Sequence, residues 1–156
     1  MIRRATASDR AWVVATGVAA YQNLGDYQRI LPTWLEQPGV LAWVYELNGV
    51  RRGMAMLGFY GEPNAAGGLT IVADLLALAV AAEFRNAGIG RILLDHVIEV
   101  ATRIASSTNA CWLRLTVEAS NLGAQRLYSR AGFTFDPSVT TTYESGLTGL
   151  RMRRPI

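Results

Sequence analysis

Leu78-Ala79-Val80-Ala81-Ala82-Glu83-Phe84-Arg85-Asn86-Ala87-Gly88-Ile89-Gly90-Arg91 joins a long apolar segment to a periodic one. Upstream, Leu69 to Val80 is almost wholly apolar, the pattern of a central strand covered on both faces. Downstream, Gly88 to Ala105 carries Ile89, Ile92, Leu93, Val97, Val100 and Ile104 on one helical stripe. A strand therefore feeds a loop holding Arg85, and Gly88 and Gly90 open a helix. Helix N-termini present unpaired N–H groups and the positive end of the dipole. Glycine lets backbone approach a ligand without a Cβ in the way. With the fixed charge of Arg85, the junction reads as a cradle for a pyrophosphate. The bland alternative is that Gly88 merely suits a turn.

Two familiar phosphate motifs fail at this junction. The dinucleotide fingerprint needs a third glycine where Leu93 stands. The P-loop needs a lysine, and all 15 basic residues of this chain are arginine. The lack of lysine also excludes a Schiff-base or lysine-nucleophile chemistry. A single cysteine, Cys111, excludes a disulfide framework and a cysteine zinc site, and a single histidine, His96, excludes a multi-histidine metal centre. We therefore expect no metal.

Outward from the junction, the chain reads as one domain over residues 1–156. Its 156 residues are 51% hydrophobic and 17% charged, which is enough apolar material for one core and too much for disorder. Ile2 to Ala5 reads as an edge strand, and Ser8-Asp9 as the cap of a helix carrying Trp12, Val13, Thr16 and Ala20. Tyr27 to Glu36 reads as a helix weakened by Pro32. Val40 to Leu47 and Arg51 to Tyr60 flank Asn48-Gly49, a hairpin signal. Gly61 to Gly68 is a loop. Cys111 to Val117 alternates, with Cys111, Leu113, Leu115 and Val117 on the apolar side. Ser120-Asn121 caps a helix to Ala131 that Gly132 stops. Strands follow from Phe133 and near Leu147 to Arg153. The order β, α, α, β, β, β, α, β, α, β, β is a mixed α/β layer architecture.

The formal charge is +3, and the one tight basic cluster is Arg151, Arg153 and Arg154. The other arginines are scattered, whereas a nucleic-acid module shows a basic stripe. We expect no nucleic acid, and keep binding by the C-terminal arginines as a rival. No apolar run is long enough to span a bilayer, and Met1-Ile2-Arg3-Arg4 lacks the apolar stretch of a signal peptide. The expectation is a soluble cytoplasmic protein without membrane contact. The richness in arginine and alanine resembles the usage of a high-GC bacterial genome.

Arg85-Asn86-Ala87-Gly88-Ile89-Gly90 resembles the Gln/Arg-x-x-Gly-x-Gly/Ala motif of the GNAT family of N-acetyltransferases, and Leu78-Ala79-Val80 resembles that family's strand ending. A second region agrees: Leu115 to Asn121, then Leu127-Tyr128-Ser129-Arg130-Ala131-Gly132-Phe133, is similar to the family's later strand–helix segment with its Tyr-x-x-x-Gly-Phe signature. The resemblance covers nearly the whole chain. It implies a GNAT-like fold, with a mixed, mostly antiparallel sheet of about seven strands, about four helices and two central strands splayed apart.

The same resemblance implies transfer of an acyl group, usually acetyl, from acetyl-CoA to an amine of a small molecule or a protein. Backbone N–H groups of Asn86, Ala87, Gly88, Ile89, Gly90 and Arg91, with the charge of Arg85 beside them, would hold the pyrophosphate. The pantetheine arm would run beside Leu78, Ala79 and Val80 like an extra strand, the amides pairing with Leu78 and Val80. Asn121 would hydrogen-bond the coenzyme. Tyr128, seven residues on and on the same helical face, would protonate or hydrogen-bond the departing thiolate. The place where some members carry a carboxylate base is held here by Thr116. Two carboxylates are candidates instead. Glu118 lies two residues on, and Asp74 interrupts the apolar strand, sharing a face with Leu76, Leu78 and Val80 by period two. Each also has a plain reading, as a solvated group beside a cap or at a strand end. His96 and Cys111 read as packing residues. Family members are often homodimers. Without a base at Thr116, a non-catalytic acyl-CoA-binding sensor of the same fold is the alternative function.

Overall fold

Asn48 and Gly49 both adopt positive φ, 52° and 74°, the geometry of the tight hairpin that their identities predict. They join β2 (Val40–Leu47) to β3 (Val50–Pro63) in the computed structural model, which describes residues 1–156. The remaining elements are β1 (Ile2–Arg4), α1 (Arg10–Tyr21), α2 (Tyr27–Leu35), β4 (Leu69–Val80), α3 (Ile89–Ala105), β5 (Trp112–Glu118), α4 (Leu122–Arg130), β6 (Thr134–Thr142) and β7 (Thr148–Pro155). Seven strands form one sheet in the order β1-β2-β3-β4-β5-β7-β6. Every pairing is antiparallel except β4 with β5, whose connection through α3 is the crossover that a parallel pair requires.

That parallel pairing is very short. Only Ala73 with Leu113 and Asp74 with Arg114 are in register, after which the two strands part. The sheet has a second irregularity at the same level. Leu57 pairs with Leu75 and Met56 with Ala77, so Leu76 is an extra residue in β4, a bulge. Ala73 and Leu75 belong to the core beneath α3 and α4, with Leu93, Val97, Leu113 and Phe133. Beyond the bulge, Ala77 and Ala79 belong to the opposite core, with Val13, Leu31, Val44 and Met54 beneath α1 and α2. The expected shared face of Asp74, Leu76, Leu78 and Val80 therefore does not exist. Asp74 and Leu76 lie on the α1–α2 side, while Leu78 and Val80 pack toward α3. A simple period of two carries no sign of one inserted residue.

Several smaller expectations also shift. β3 runs on to Pro63, because Gly61 and Glu62 pair with Ile71 and Thr70, so the loop is shorter than Gly61 to Gly68. Cys111 precedes β5 and is exposed, not a core residue. Ile92 is exposed on α3, whose buried stripe is Ile89, Leu93, Leu94, Val97 and Ala101. α2 continues through Pro32 because Leu31 is fully buried and Tyr27 meets Trp34 edge-on at 6.0 Å. His96 packs edge-on against Trp43, as expected for a packing residue, and burial lowers its pKa.

Asp9 departs most from its expected role. Its carboxylate does not cap α1; it accepts from the Thr6 backbone N–H at 2.8 Å and pairs with Arg3 and Arg51, each at 2.7 Å. Arg3 also pairs with Glu46 at 2.9 Å. One fully buried carboxylate thus ties β1, the turn before α1 and β3 together, and these bonds hold its pKa well below the usual carboxylate range. A depressed folded-state pKa contributes stability above the unfolded value near 4, lost as pH falls below it. Replacing Asp9 with Ala should lower unfolding free energy by about 2 kcal/mol at pH 7, less than a fully buried pair loses because both arginines reach solvent. Urea melts at pH 7 and pH 3 check this, and the gap between variant and parent should narrow at pH 3.

Candidate active site

Where β4 and β5 part, the sheet opens into a cavity of about 770 Å³ on its α1–α2 side. Tyr21 of α1, Tyr27 and Trp34 of α2, Phe59 and Tyr60 of β3, and Tyr143 after β6 give it an aromatic wall. Leu78, Thr116 and Tyr128 line the opening through the sheet. The α1–α2 loop and the β6–β7 turn are fastened to each other: Ser145 N–H donates to the Leu24 carbonyl at 3.0 Å, and Glu144 accepts from Asp26 N–H at 3.1 Å and pairs with Arg29 at 2.8 Å.

At the far end of β4, the chain turns through Asn86 at φ 63° and Gly88 at φ 81° before α3. No Cβ could be carried at Gly88 without strain, and nothing lies within 4 Å of where it would stand. The first backbone bond of α3 runs from Ile92 N–H to the Gly88 carbonyl at 3.1 Å. The N–H groups of Asn86, Ala87, Gly88, Ile89, Gly90 and Arg91 consequently have no protein acceptor. Six free N–H groups at the positive end of a 17-residue helix are able to hold an anion. The Arg85 side chain folds back, its Nε donating to the Val80 carbonyl at 3.2 Å. The Arg91 guanidinium pairs with Asp95 at 2.8 Å, leaving its backbone N–H as the part facing the turn.

Leu78 and Val80 turn main-chain groups away from β3, as an arm pairing along this edge needs. Those of Leu78 are already met. The Tyr21 hydroxyl donates to the Leu78 carbonyl and accepts from its N–H, both at 2.8 Å. Ala79 is buried on the other face. Burial pushes the Tyr21 phenol up to about 12. Sequence reasoning does not find Tyr21 on this strand edge, since nothing local marks a contact across 57 residues.

Tyr128 is 8% exposed and lines the cavity, and its hydroxyl has no protein partner. Burial, with Tyr21 and Tyr143 nearby, holds its pKa far above the ordinary phenol value. Such a phenol is suited to donating a hydrogen bond and costly to ionise. Asn121 does not join it. Asn121 is exposed and caps α4, its side chain accepting from Ala124 N–H at 3.1 Å.

The two carboxylates separate as well. Asp74 lines the cavity, but Arg114 takes both its oxygens, Nε to one at 2.8 Å and Nη2 to the other at 3.2 Å. The same guanidinium reaches Glu62 at 3.0 Å and the Tyr60 hydroxyl at 3.3 Å. Glu118 does not line the cavity; it accepts from the Ser120 backbone N–H at 2.9 Å and from its hydroxyl, bracing the β5–α4 turn. The arginines near the C-terminus make no basic stripe. Arg151 lines the cavity, Arg153 stacks over Trp112 at 4.1 Å, and Arg154 donates to the Ala131 carbonyl at 2.6 Å.

Residues 10–133 match the model of the Acetyltransferase (GNAT) family. Among solved structures, the chain is 26% identical to a ribosomal-protein-alanine N-acetyltransferase from Brucella melitensis, covering 100% of this chain and 99% of that one with a TM-score of 0.75. It shares its fold with Arabidopsis thaliana NAA60 in complex with acetyl-CoA, at 15% identity, 100% and 98% coverage and a TM-score of 0.78. An IAA acetyltransferase from Bacillus cereus is 18% identical, with 100% and 99% coverage and a TM-score of 0.71. No curated protein matches the chain.

Replacing Tyr21 with Phe should leave the fold intact and cost about 1 kcal/mol, the worth of the lost bonds. The Leu78 amide should then exchange with solvent several-fold faster, read by hydrogen–deuterium exchange. An unchanged rate would show that the hydroxyl does not guard that edge.

Proposed function

Since the chain belongs to the GNAT family of acetyltransferases and is an N-acyltransferase, we propose that it moves an acetyl group from acetyl-CoA to a primary amine by direct attack. The observation that carries this reading is the opening between β4 and β5, with an anion cradle at one end and a phenol over it. The N–H groups of Asn86 to Arg91 would take the donor's diphosphate. Its pantetheine arm would run along β4, displacing the Tyr21 hydroxyl from Leu78 as amide bonds form there. Asn121, busy as a cap, offers the coenzyme only its side-chain N–H groups.

The amine nitrogen attacks the thioester carbonyl carbon, and the C–S bond breaks as the tetrahedral adduct collapses. The sulfur leaves as thiolate, and the proton shed by the attacking nitrogen passes to water at the opening, which completes the amide. Tyr128 donates a hydrogen bond to that sulfur, where charge develops, which stabilises the transition state more than the bound donor. Its raised pKa makes hydrogen-bond donation the larger contribution and complete proton transfer the smaller. The acceptor must attack as the neutral amine. The apolar, aromatic cavity favours that form by desolvating the ammonium. Of the two carboxylates, Asp74 is the one within the cavity, and any proton it receives competes with Arg114. Glu118, in its turn, would act only through water.

Tyr128→Phe should lower kcat by about 10–100-fold, near the lower range for one catalytic group, while the Kd for acetyl-CoA changes less than about threefold. Release of CoA thiol over a panel of amines and titration calorimetry with acetyl-CoA measure the two. An unaltered kcat would remove Tyr128 from the chemistry. Binding without CoA release from any amine would favour the sensor.

A further inference from the structure

Arg151 projects from β7 directly opposite Thr116 and lines the cavity. It is half-buried, and its Nε is fully buried with no hydrogen-bond partner. No carboxylate lies within ion-pair distance of it. The other arginine of the cavity differs in this respect: Arg114 is neutralised by Asp74 and Glu62. Arg153, one turn of the pleat away, has Asp136 at 3.8 Å and the Trp112 ring. Glu118, which faces the same side of β5, is held by Ser120. Asp136 feels the Arg151 charge, which helps to lower its pKa, but no acceptor meets the Arg151 Nε, and a buried charged donor without an acceptor is costly.

The charged groups of an acyl-CoA donor do not meet this residue. Thr116, and Arg151 beside it, stand near the level of Leu76, and four strand residues from there to Val80 span roughly 13 Å. The diphosphate cradle lies beyond Val80. An anion at Arg151 belongs to the acceptor. The α1–α2 loop and the β6–β7 turn are bonded to each other across Glu144, a bridge over that side of the cavity that favours a small acceptor over a polypeptide. The acceptor's body meets Tyr21, Tyr27, Trp34, Tyr60 and Tyr143.

We infer that Arg151 is the acceptor's anion-binding residue, so that the substrate is a small amine carrying a carboxylate and an aromatic or apolar body, an amino acid in chemical class. This rests on the acyl-transfer reading of the same cavity. The carboxylate takes two parallel N–H···O bonds from the guanidinium, the body stacks on the tyrosines, and the amine points to the opening beneath Tyr128. A phosphonate in place of the carboxylate offers the same chemistry.

The test compares acetylation, with acetyl-CoA as donor, of phenylalanine against phenethylamine and of tryptophan against tryptamine. The phosphonate analogue of phenylalanine and a peptide amide beginning with phenylalanine complete the set. The parent should give at least tenfold higher kcat/KM for the anionic member of each pair. Arg151→Gln should lower kcat/KM for the anionic amines by about 30-fold through KM, as expected for a bond to a charged group. It should change the neutral amines by less than about twofold. Arg151→Lys should recover part of the loss. Thermal melts confirm folding, and should both variants fail to fold, the parent's preference within each pair decides. Equal or better use of the neutral amines, equal losses for both classes in the variant, or acetylation of the peptide alone would overturn the inference. Binding of acetyl-CoA by calorimetry separates the two readings: heat with no anionic amine consumed sinks the acceptor assignment only, whereas no heat sinks the acyl-transfer reading beneath it.

Discussion

A parallel pair held by two rungs is the constraint on which the rest of this molecule depends. After Asp74 and Arg114, β4 and β5 have no backbone bonds to each other. Main-chain groups on an interior strand are normally satisfied by the neighbouring strand, and unpaired ones are costly when dry. The bulge at Leu76 falls where the strands part, and moves the apolar register of β4 from one core to the other. The fold keeps both cores filled on either side of the gap, and Tyr21 supplies hydroxyl bonds to the exposed edge at Leu78. A site is thereby built from a missing strand contact rather than from a cleft between domains.

Electrostatics divides this opening into two ends of different kind. Toward α3 the positive charge is partial and comes from free backbone N–H groups around a left-handed glycine. Toward β5 and β7 it is carried by guanidinium groups, one paired with two carboxylates and one whose Nε has no hydrogen-bond partner. Between them the wall is aromatic, and burial keeps the phenols of Tyr21, Tyr128 and Tyr143 protonated far into the alkaline range. The ion cluster around Asp9 stands apart from this arrangement and secures the edge of the sheet that carries α1.

The element order was legible in the sequence because it rests on local rules. Asn48-Gly49 needs no tertiary help to turn, and Gly88 marks a conformation that other residues avoid. The alternation of Leu113, Leu115 and Val117 and the stripe of Ile89, Leu93 and Val97 were equally plain. What stayed hidden was non-local. One inserted residue at Leu76 reverses the faces of β4 beyond it, so Asp74 and Leu76 part from Leu78 and Val80, whose face the period of two has them share. The cap expected from Asp9 gave way to two arginines 6 and 42 residues away. Glu118 is picked out by spacing and Asn121 by the family resemblance, and both are engaged in holding the turn into α4. Arg151 reads as part of a charge cluster, although alternation along the strand leaves only Arg153 on its face and sends Arg154 to the other.

The most direct measurement is a crystal structure of the protein with acetyl-CoA. The account predicts diphosphate oxygens within hydrogen-bond distance of the N–H groups between Asn86 and Arg91. It also predicts the arm along Leu78 and Val80 with the Tyr21 hydroxyl displaced, and the sulfur facing Tyr128. A donor seated elsewhere, or one that leaves the Tyr21–Leu78 bonds and the gap between β4 and β5 as they are, would contradict it.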